Sequence, residues 1–378
     1  MPKIKVHPDF DPVSTSPSLS EDYRFASDNT AGLCPEALAG LTEANSGRSA
    51  SYGDDPLTAE AQARISALFE TKCEVFLVFN GTAANALALS TLCRRYQSIF
   101  CLEEAHVATG ECSAPEFFTG GSKVISVRGQ GGKMRPAELE LALGQGRGTH
   151  FPQPGALTLA QASDRGTLYE PAEIKALADL AHARGMGVHV DGARFANAWA
   201  AAREGGASPA DLTWRSGVDI LSLGGTKNGM LAAEAVVFFR PELAAAFAYR
   251  AQQSGQVNSK MRFAAAQWNA VLREGAWLRH AAHANRMAAQ LADGIRALPG
   301  LGLSLPVQTN MVFVELSAAA AAALKARGWR FYLSIGQTGY RFVCAWDTLP
   351  EDVQALLRDL RAVAGRTAVT ALSRGAER

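Results

Sequence analysis

The stretch VFLVFNGTAANALALSTL, residues 75–92, passes from a short apolar run into an alanine- and leucine-rich segment. Val75–Phe79 predicts a buried strand, and Gly81–Leu92 predicts the helix that follows it. Further short apolar runs alternate with helical patterns up to about residue 240, at 99–102, 124–127, 156–160, 187–190, 220–223 and 235–239. This alternation predicts an α/β fold built on a large, mostly parallel sheet.

The pattern changes after residue 255. Residues 260–298 predict one long helical region, and 311–316, 331–335 and 340–346 predict strands. Helices are predicted over 317–326 and from Pro350 to about Val363, and the last dozen residues predict a solvated tail. We therefore expect an N-terminal arm over 1–24, a large domain over 25–270 and a smaller α+β domain over 271–378.

The composition is that of an ordinary globular protein. Of the 378 residues, 48% are hydrophobic and 19% are charged, and 37 Lys and Arg against 36 Asp and Glu give a net charge of +1. This near-balance argues against a nucleic-acid or anionic-membrane binder, because such proteins need an excess of basic residues. No apolar run is long enough to predict a transmembrane helix, and the polar first 20 residues lack the apolar core of a secretory signal.

The cysteines indicate a reducing compartment. None of the six stands in a Cys-x-x-Cys pair, which argues against zinc-finger and thioredoxin-type sites. Cys73, Cys93 and Cys101 lie in or beside apolar runs, as buried free thiols do. We therefore expect a cytoplasmic protein without a disulfide framework, and we assign no residue to a metal ion.

Gly81 and Thr82 stand where the first predicted strand passes into its helix. The first turn of a helix has free backbone N–H groups and the positive end of the helix dipole, so it can bind a phosphate. The chain has neither a GxGxxG motif nor a GxxxxGK[ST] motif in support of a dinucleotide or a nucleoside triphosphate. An ordinary tight turn accounts for the same residues, and both interpretations stay open here.

Two more motifs follow predicted strands. Asp191 falls at the carboxyl end of the strand over 187–190, where open α/β sheets bind ligands, and Arg194 lies close to it if a helical turn follows. Lys227 lies among glycines after the strand over 220–223, and a lysine held in a crevice can act as a nucleophile toward an aldehyde. The alternatives are a helix cap for Asp191 and a flexible surface loop for Lys227.

In chain order, these motifs supply the parts of a pyridoxal phosphate (PLP) site. They are a phosphate-binding helix start, His106 after a strand, a carboxylate and a lysine. With residues 27–29, 52–55 and Arg341 added, the chain resembles the threonine aldolase family of PLP-dependent enzymes over most of its length. The resemblance implies the PLP-dependent transferase-like fold, also known from aspartate aminotransferase, with a large mostly parallel-sheet domain and a smaller α+β C-terminal domain.

The resemblance implies a role toward the cofactor ring for four residues. Lys227 would form the Schiff base with PLP, and Asp191 would keep the pyridine nitrogen protonated. Arg194 would contact the phenolic oxygen of the ring, and His106 would stack on the ring.

Five further residues receive roles from the same resemblance. Gly81 and Thr82 would hold the phosphate of the cofactor. Arg262 stands where relatives send an arginine across the subunit interface to that phosphate. Ser27 and Arg341 match the positions that bind the carboxylate of the substrate.

The sequence departs from the family pattern at two places. Residues 161–164 read Gln-Ala-Ser-Asp where the family has Glu-Asn-Thr-His, so Asp164 replaces a histidine thought to assist deprotonation of the substrate hydroxyl. Lys227 is flanked by Thr226 and Asn228 instead of Ser and Gly. The base is therefore expected to be His106, directly or through water, because its ordinary pKa lies near neutrality. Asp164 is the second candidate, with an anchoring or turn role as its alternative.

The activity implied by the resemblance is retro-aldol cleavage of L-threonine, L-allo-threonine and related β-hydroxy-α-amino acids such as phenylserine. The products would be glycine and an aldehyde, and the assembly would be a dimer with shared sites, paired into a tetramer. A β-eliminating lyase, a serine-hydroxymethyl-transferring enzyme or an aminotransferase would share nearly every residue named above. A binding or regulatory module without activity is the remaining alternative.

Overall fold

A computed structural model describes residues 22–146, 148–333 and 339–374. The predicted N-terminal arm lies outside the described residues up to residue 21, and so do residues 334 and 335 of a predicted strand. Asp22 exchanges backbone hydrogen bonds with Gly328 and Arg330, both of 2.8 Å. The residues that follow the arm are therefore tied to the C-terminal part of the chain.

The described residues form α-helices, 3₁₀ helices and two groups of strands. The helices are α1 (Pro35–Ala44), α2 (Pro56–Leu68), α3 (Gly81–Leu92), α4 (His106–Thr109), α5 (Ala114–Phe118), α6 (Pro136–Leu143), α7 (Pro171–His182), α8 (Phe195–Ala202), α9 (Pro241–Ala244), α10 (Phe247–Gln253), α11 (Arg262–Arg273), α12 (Ala276–Arg296), α13 (Ala318–Ala326) and α14 (Pro350–Arg374). The 3₁₀ helices are Asp28–Thr30, Arg203–Gly205, Trp214–Ser216 and Thr226–Asn228.

The strands lie in two sheets. The first contains β1 (Glu74–Val78), β2 (Gln97–Leu102), β3 (Lys123–Val127), β4 (Gln153–Ala160), β5 (Gly187–Gly192), β6 (Ile220–Leu223) and β7 (Glu234–Phe238). The second contains β8 (Gly302–Leu303), β9 (Met311–Glu315), β10 (Tyr332–Leu333) and β11 (Tyr340–Val343).

The first sheet has the order β1-β7-β6-β5-β4-β2-β3. All neighbouring strands from β6 to β3 pair in parallel, whereas β7 is antiparallel to both of its neighbours. Every residue of β6 and β7 in this sheet is buried and most are apolar, as expected when helices cover both faces. The predicted α/β fold with a large, mostly parallel sheet is confirmed.

The second sheet is antiparallel in the order β10-β11-β9-β8. Side chains of α12, α13 and α14 pack on it in a separate apolar core that includes Leu291, Val312, Leu324, Phe342 and Leu356. The predicted smaller α+β part therefore has its own core, while the domain boundaries at 24/25 and 270/271 stay a prediction.

Two predictions about helices are wrong. The long helical region over 260–298 is two helices, because Gly275 between α11 and α12 has a φ of 67°, in the left-handed region that favours glycine. The last helix does not end near Val363 but continues to Arg374, through part of the predicted tail.

The parallel pairing puts the ends of several strands at one edge of the first sheet. β2, β4, β5 and β6 all end there. β1 ends there too, because β1 and β6 are both antiparallel to β7 and therefore run in the same direction. In an open α/β sheet, ligands bind at this carboxyl edge. Each of these strands is followed within a few residues by one of the predicted site residues.

The packing of α1 on α11 yields a prediction about stability. A Cβ at Gly40 would lie 2.6 Å from the backbone oxygen of Ala266 and 2.9 Å from the Cβ of Ala270. Gly40→Ala should lower the free energy of unfolding by about 1–3 kcal/mol, because the overpacking outweighs the gain in helix propensity. Urea denaturation of the holoenzyme measures the change.

Gly32→Ala is the matched control, since a Cβ at Gly32 meets no atom within 4 Å. An equal effect of the two substitutions would show that the close approach of α1 and α11 is not the cause.

Candidate active site

A cavity of about 760 Å³ opens at the carboxyl edge of the first sheet. Its wall contains nine of the predicted site residues, which are Ser27, Gly81, Thr82, His106, Asp164, Asp191, Arg194, Lys227 and Arg341. These residues are scattered over most of the sequence and come from both sheets. The tertiary structure therefore brings together what the motifs only placed in order along the chain.

Arg262 is the predicted site residue that this cavity does not include. It begins α11, and its guanidinium carbon lies 5.1 Å from the ring centroid of Phe263. Its Nε atom is buried and has no hydrogen-bond partner among the described residues. Within one chain, Arg262 does not line the cavity that contains Gly81 and Thr82, and its role toward a phosphate stays a prediction.

Lys227 is presented by a tightly packed loop. A Cβ at Gly224 would collide with the backbone of Ala193, and a Cβ at Gly225 would collide with the backbone oxygen of Ala233. Asn228, the next residue after the lysine, is buried and donates a hydrogen bond of 2.6 Å to the backbone oxygen of Trp277. The loop is thus anchored on both sides of Lys227, and the alternative of a flexible surface loop is wrong.

Glu234 at the start of β7 supports the same loop and was not predicted. Its buried carboxylate accepts the backbone N–H groups of Gly225 and Thr226, each at 3.2 Å, and it lines the cavity. Burial raises the pKa of Glu234 to about 7, against the opposing effects of these hydrogen bonds and of the charge on Lys227. The sequence feature that could have identified Glu234 was a glutamate as the first residue of an otherwise apolar strand.

Asp191 stabilises the turn after β5, but it does not cap the following helix, whose N-cap residue is Arg194. Its Oδ1 atom accepts the backbone N–H of Ala193 at 2.9 Å, which stabilises the turn after β5. Its Oδ2 atom accepts a hydrogen bond of 2.9 Å from the amide of Asn85 on α3, and the residue lines the cavity. Asp191 is therefore a carboxylate held at the sheet edge, and the alternative of a helix cap is wrong.

Arg194 is paired with Asp28, a residue to which the sequence analysis gave no role. The two buried side chains make a bidentate pair, with Nε–Oδ2 and Nη2–Oδ1 distances of 2.7 and 2.8 Å. Asn310 donates a further bond of 3.1 Å to Asp28. Burial would raise the pKa of Asp28, but the charges of Arg194 and Lys227 hold it below its ordinary value. The only sequence signal for Asp28 was its position inside the motif at residues 27–29.

His106 is held by a buried glutamate. Its Nδ1 atom lies 2.8 Å from Oε1 of Glu111, whose side chain is fully buried. The hydrogen bond to Glu111 raises the pKa of His106. Asn85 donates to the same Glu111 oxygen at 2.8 Å. The sequence analysis did not name Glu111, because a glutamate in a short polar loop after α4 carries no pattern that distinguishes it.

Asp164 lies in the cavity wall without a side-chain hydrogen bond among the described residues. Burial and the charge of Asp191 raise its pKa to about 6, although His106, Arg194 and Lys227 act in the opposite direction. Among the described residues, no ion pair joins Asp164 to the neighbouring Arg165. Arg165 instead pairs with Glu104, through an Nε–Oε2 bond of 2.6 Å.

Arg341 and Ser27 lie on the side of the cavity formed by the C-terminal part of the chain and its first described residues. Arg341 on β11 lies over the ring of Tyr332, and its Nε atom is buried without a hydrogen-bond partner among the described residues. Burial and the nearby charge of Arg194 lower its pKa. Ser27 accepts the backbone N–H of Asn29 at 3.2 Å. A buried guanidinium nitrogen without a partner is suited to binding a carboxylate.

The cavity has the groups that PLP requires. The start of α3 is open toward it, since a Cβ at Gly81 would meet no atom within 4 Å. The amine of Lys227, the carboxylate of Asp191 and the half-exposed ring of His106 face the same space. The residues present therefore fit a phosphate, a pyridine nitrogen and a reactive aldehyde in one ligand.

One other group of side chains in the described part of the chain has metal-ligating atoms close together. Cys34, Glu36 and His280 place one donor atom each within 4.8 Å of one another. A bond of 2.9 Å between His280 and Glu36 already accounts for this arrangement.

All six cysteines are free thiols. No helix of the described residues is long and apolar enough to cross a bilayer.

The chain is similar to known threonine aldolases in both sequence and structure. The model of the beta-eliminating lyase family matches residues 24–319. The low specificity L-threonine aldolase of Pseudomonas aeruginosa is 52% identical over 342 residues, which cover 90% of this chain and 98% of that protein. The structure of Leishmania major threonine aldolase has a TM-score of 0.82 and 26% identity, and the match covers 90% of this chain and 99% of that one.

A more distant structure shares the fold alone. Oryza sativa TDC, solved with PLP and tryptamine, has a TM-score of 0.73 at 14% identity, over 91% of this chain and 84% of that one.

Glu234 yields a prediction about pH. Its pKa is about 7 in the folded chain and 4.5 ordinarily, so the fold favours the protonated carboxyl. The stability of the wild type should therefore fall as the pH rises from about 4.5 to 7, by up to about 3 kcal/mol. Glu234→Gln cannot ionise, and its melting temperature should depend less on pH than that of the wild type between pH 5 and pH 8.

Glu315→Gln, at an exposed glutamate on β9, is the control and should keep the wild-type dependence. An equal dependence of the melting temperature on pH in the wild type and in Glu234→Gln would contradict the raised pKa of Glu234.

Proposed function

This chain belongs to the beta-eliminating lyase family and groups with the low-specificity L-threonine aldolases, and we propose that it cleaves L-threonine and L-allo-threonine into glycine and an aldehyde. The protein is a lyase and its cofactor is PLP. The observation that carries the proposal is the convergence on one cavity of Lys227, Asp191 and Arg341, whose buried Nε has no partner among the described residues. Bound PLP supplies an electron sink for the bond that breaks at Cα of an amino acid.

We assign the cofactor to the residues of the cavity wall. The amine of Lys227 would attach it covalently, the carboxylate of Asp191 would hold a proton on its ring nitrogen, and the ring of His106 would stack on it. The first backbone N–H groups of α3, at Gly81 and Thr82, would bind its phosphate. The anchored loops that carry Lys227 and Asp191 support this assignment, because they fix the two side chains relative to each other.

The arginines of the cavity support the position of the substrate. Among the described residues, three arginines line it, and two of them pair with carboxylates: Arg194 with Asp28 and Arg165 with Glu104. Arg341 is the third, and we propose that its guanidinium binds the substrate carboxylate with two parallel hydrogen bonds, assisted by Ser27. Fixing the carboxylate orients the bond between Cα and Cβ for cleavage.

The base must accept the proton of the substrate hydroxyl as the carbon–carbon bond breaks. Asp164 is supported by its raised pKa, and among the described residues no hydrogen bond occupies its carboxylate. Nδ1 of His106 is occupied by Glu111, and stacking would restrict the ring further. We therefore propose that Asp164 accepts the proton, with His106 as the alternative.

We propose that the chain acts as a homodimer with shared sites, paired into a tetramer. Arg262 does not line the cavity of its own chain, and its buried Nε has no partner among the described residues; both observations support a contribution to the cavity of a second copy. We further propose that the protein acts in the cytoplasm, where six free thiols would stay reduced.

The activity is tested with L-threonine, L-allo-threonine and phenylserine side by side. Wild-type enzyme should release glycine and the matching aldehyde in equal amounts. Lys227→Ala should abolish turnover, because no other amine in the cavity can take its place, whereas Lys72→Ala, at an exposed lysine, should leave turnover unchanged. Release of a keto acid and ammonia would instead favour a β-eliminating lyase, and no product at all would favour a binding module.

Asp164→Asn tests the proposed base. The substitution should lower kcat on L-threonine by about 10²–10⁴ while the absorption spectrum of the cofactor is retained. In the wild type, kcat should fall as the pH drops through about 6, because protonated Asp164 cannot accept the proton.

Asp293→Asn, at an exposed carboxylate on α12, is the control and should be neutral. An undiminished kcat in Asp164→Asn, together with a loss in His106→Asn, would transfer the role to His106.

A further inference from the structure

The side chains beneath the ring of His106 form a continuous chain of hydrogen bonds. Nδ1 of His106 lies 2.8 Å from Oε1 of Glu111, and the amide nitrogen of Asn85 donates to that same oxygen at 2.8 Å. The second N–H of the Asn85 amide donates to Oδ2 of Asp191 at 2.9 Å. His106 and Asp191, which lie on different elements of the fold, are thus connected through two residues for which no role has been given.

The burial of this chain indicates that its geometry is fixed. The side chain of Glu111 has no exposed surface, and Asn85 is 1% exposed. Oε2 of Glu111 and Oδ1 of Asn85 are buried without partners among the described residues. Two buried polar side chains with unsatisfied atoms are costly to keep, so a role for the atoms that are bonded would account for them.

The ring of His106 is restrained from a second direction. A Cβ at Gly110 would lie 2.9 Å from both Cδ2 and Nε2 of the ring, so the ring packs directly on the backbone of Gly110. Contact with Gly110 limits where the ring can lie, and the bond to Glu111 fixes its rotation. Nε2 then remains as the ring nitrogen without a hydrogen bond among the described residues.

We propose that Glu111 is a positioning residue, which fixes the orientation and the charge of His106 and, through Asn85, ties it to Asp191. The inference rests on the proposed function for the roles of His106 and Asp191 toward the cofactor. Glu111 does not line the cavity and would act only through the ring that it holds. The glutamate would keep a proton on Nδ1, so that the ring faces the cofactor in one tautomer.

The charges around His106 agree in sign with this role. The hydrogen bond to Glu111 is the largest influence that raises the pKa of His106, and the charge of Asp191 adds to it. Burial and the charge of Lys227 oppose it. Asp164 also faces the ring from the loop after β4. Glu111 is therefore the group whose removal should change the titration of His106 most.

The test follows the titration of His106 by NMR in holoenzyme labelled with ¹³C at histidine Cε1. The His106 signal is assigned by its loss in His106→Asn. In Glu111→Gln, which keeps the shape of the side chain and removes the charge, the pKa of His106 should fall by about 1–3 units. Glu111→Asp, which keeps the charge on a shorter side chain, should give a smaller fall.

Glu116→Gln is the control, at a half-buried glutamate nearby that does not line the cavity, and it should leave the titration unchanged. A purely structural role for Glu111 would lower the melting temperature of Glu111→Gln and leave the pKa of His106 where it is, which would overturn the inference. Cleavage of L-threonine by the wild type is measured on the same samples. If the wild type cleaves no L-threonine but Glu111→Gln still lowers the pKa of His106, the proposed function is overturned. The link between Glu111 and His106 then still stands.

Discussion

The parallel pairing of β4, β5 and β6 is the constraint on which the site depends. Parallel neighbours end at the same edge, so the loops after these strands must meet there, however far apart they lie in the sequence. Asp164 and Lys227 follow β4 and β6, and Asp191 is the next-to-last residue of β5. Because β7 is antiparallel to β6, it begins at this edge, and its first residue, Glu234, accepts a hydrogen bond from the loop of Lys227. In a purely parallel sheet, no strand begins at this edge.

The pairing of opposite charges then determines which charged groups in the cavity remain available to bind a ligand. A guanidinium buried without a carboxylate is costly, and the pairs Arg194–Asp28 and Arg165–Glu104 avoid that cost. Both pairs reduce the flexibility of the cavity wall, since each joins segments that are distant along the chain. Arg341 is left with a buried nitrogen that has no partner among the described residues, and a substrate carboxylate would supply one.

The carboxylates of the cavity differ in their surroundings, and these differences separate their chemistry. Asp191 is hydrogen-bonded on both oxygens, to Ala193 and to Asn85, which fixes the orientation of its carboxylate. Asp164 has no side-chain hydrogen bond among the described residues and a pKa raised to about 6, so it can gain and lose a proton near neutrality. One residue type thus has a fixed orientation in one position and is a candidate base in another.

The sequence by itself determined the α/β fold, the order of the strands along the chain and nine of the residues that line the cavity. Those features are encoded locally, in hydrophobic periodicity and in glycine-rich turns after strands, and the resemblance of spaced motifs added the cofactor. The sequence did not determine the break at Gly275, because helical periodicity continues through it, although a single positive φ ends the helix.

Only the tertiary structure decided which charged groups pair. Arg194 and Asp28 are 166 positions apart, and Asn85 and Asp191 are 106 apart, so no local pattern records that they touch. The environment of Asp164 and the role of Glu111 under His106 were hidden for the same reason. Burial, hydrogen bonding and neighbouring charge set the protonation of these groups, and all three arise only when distant segments pack together.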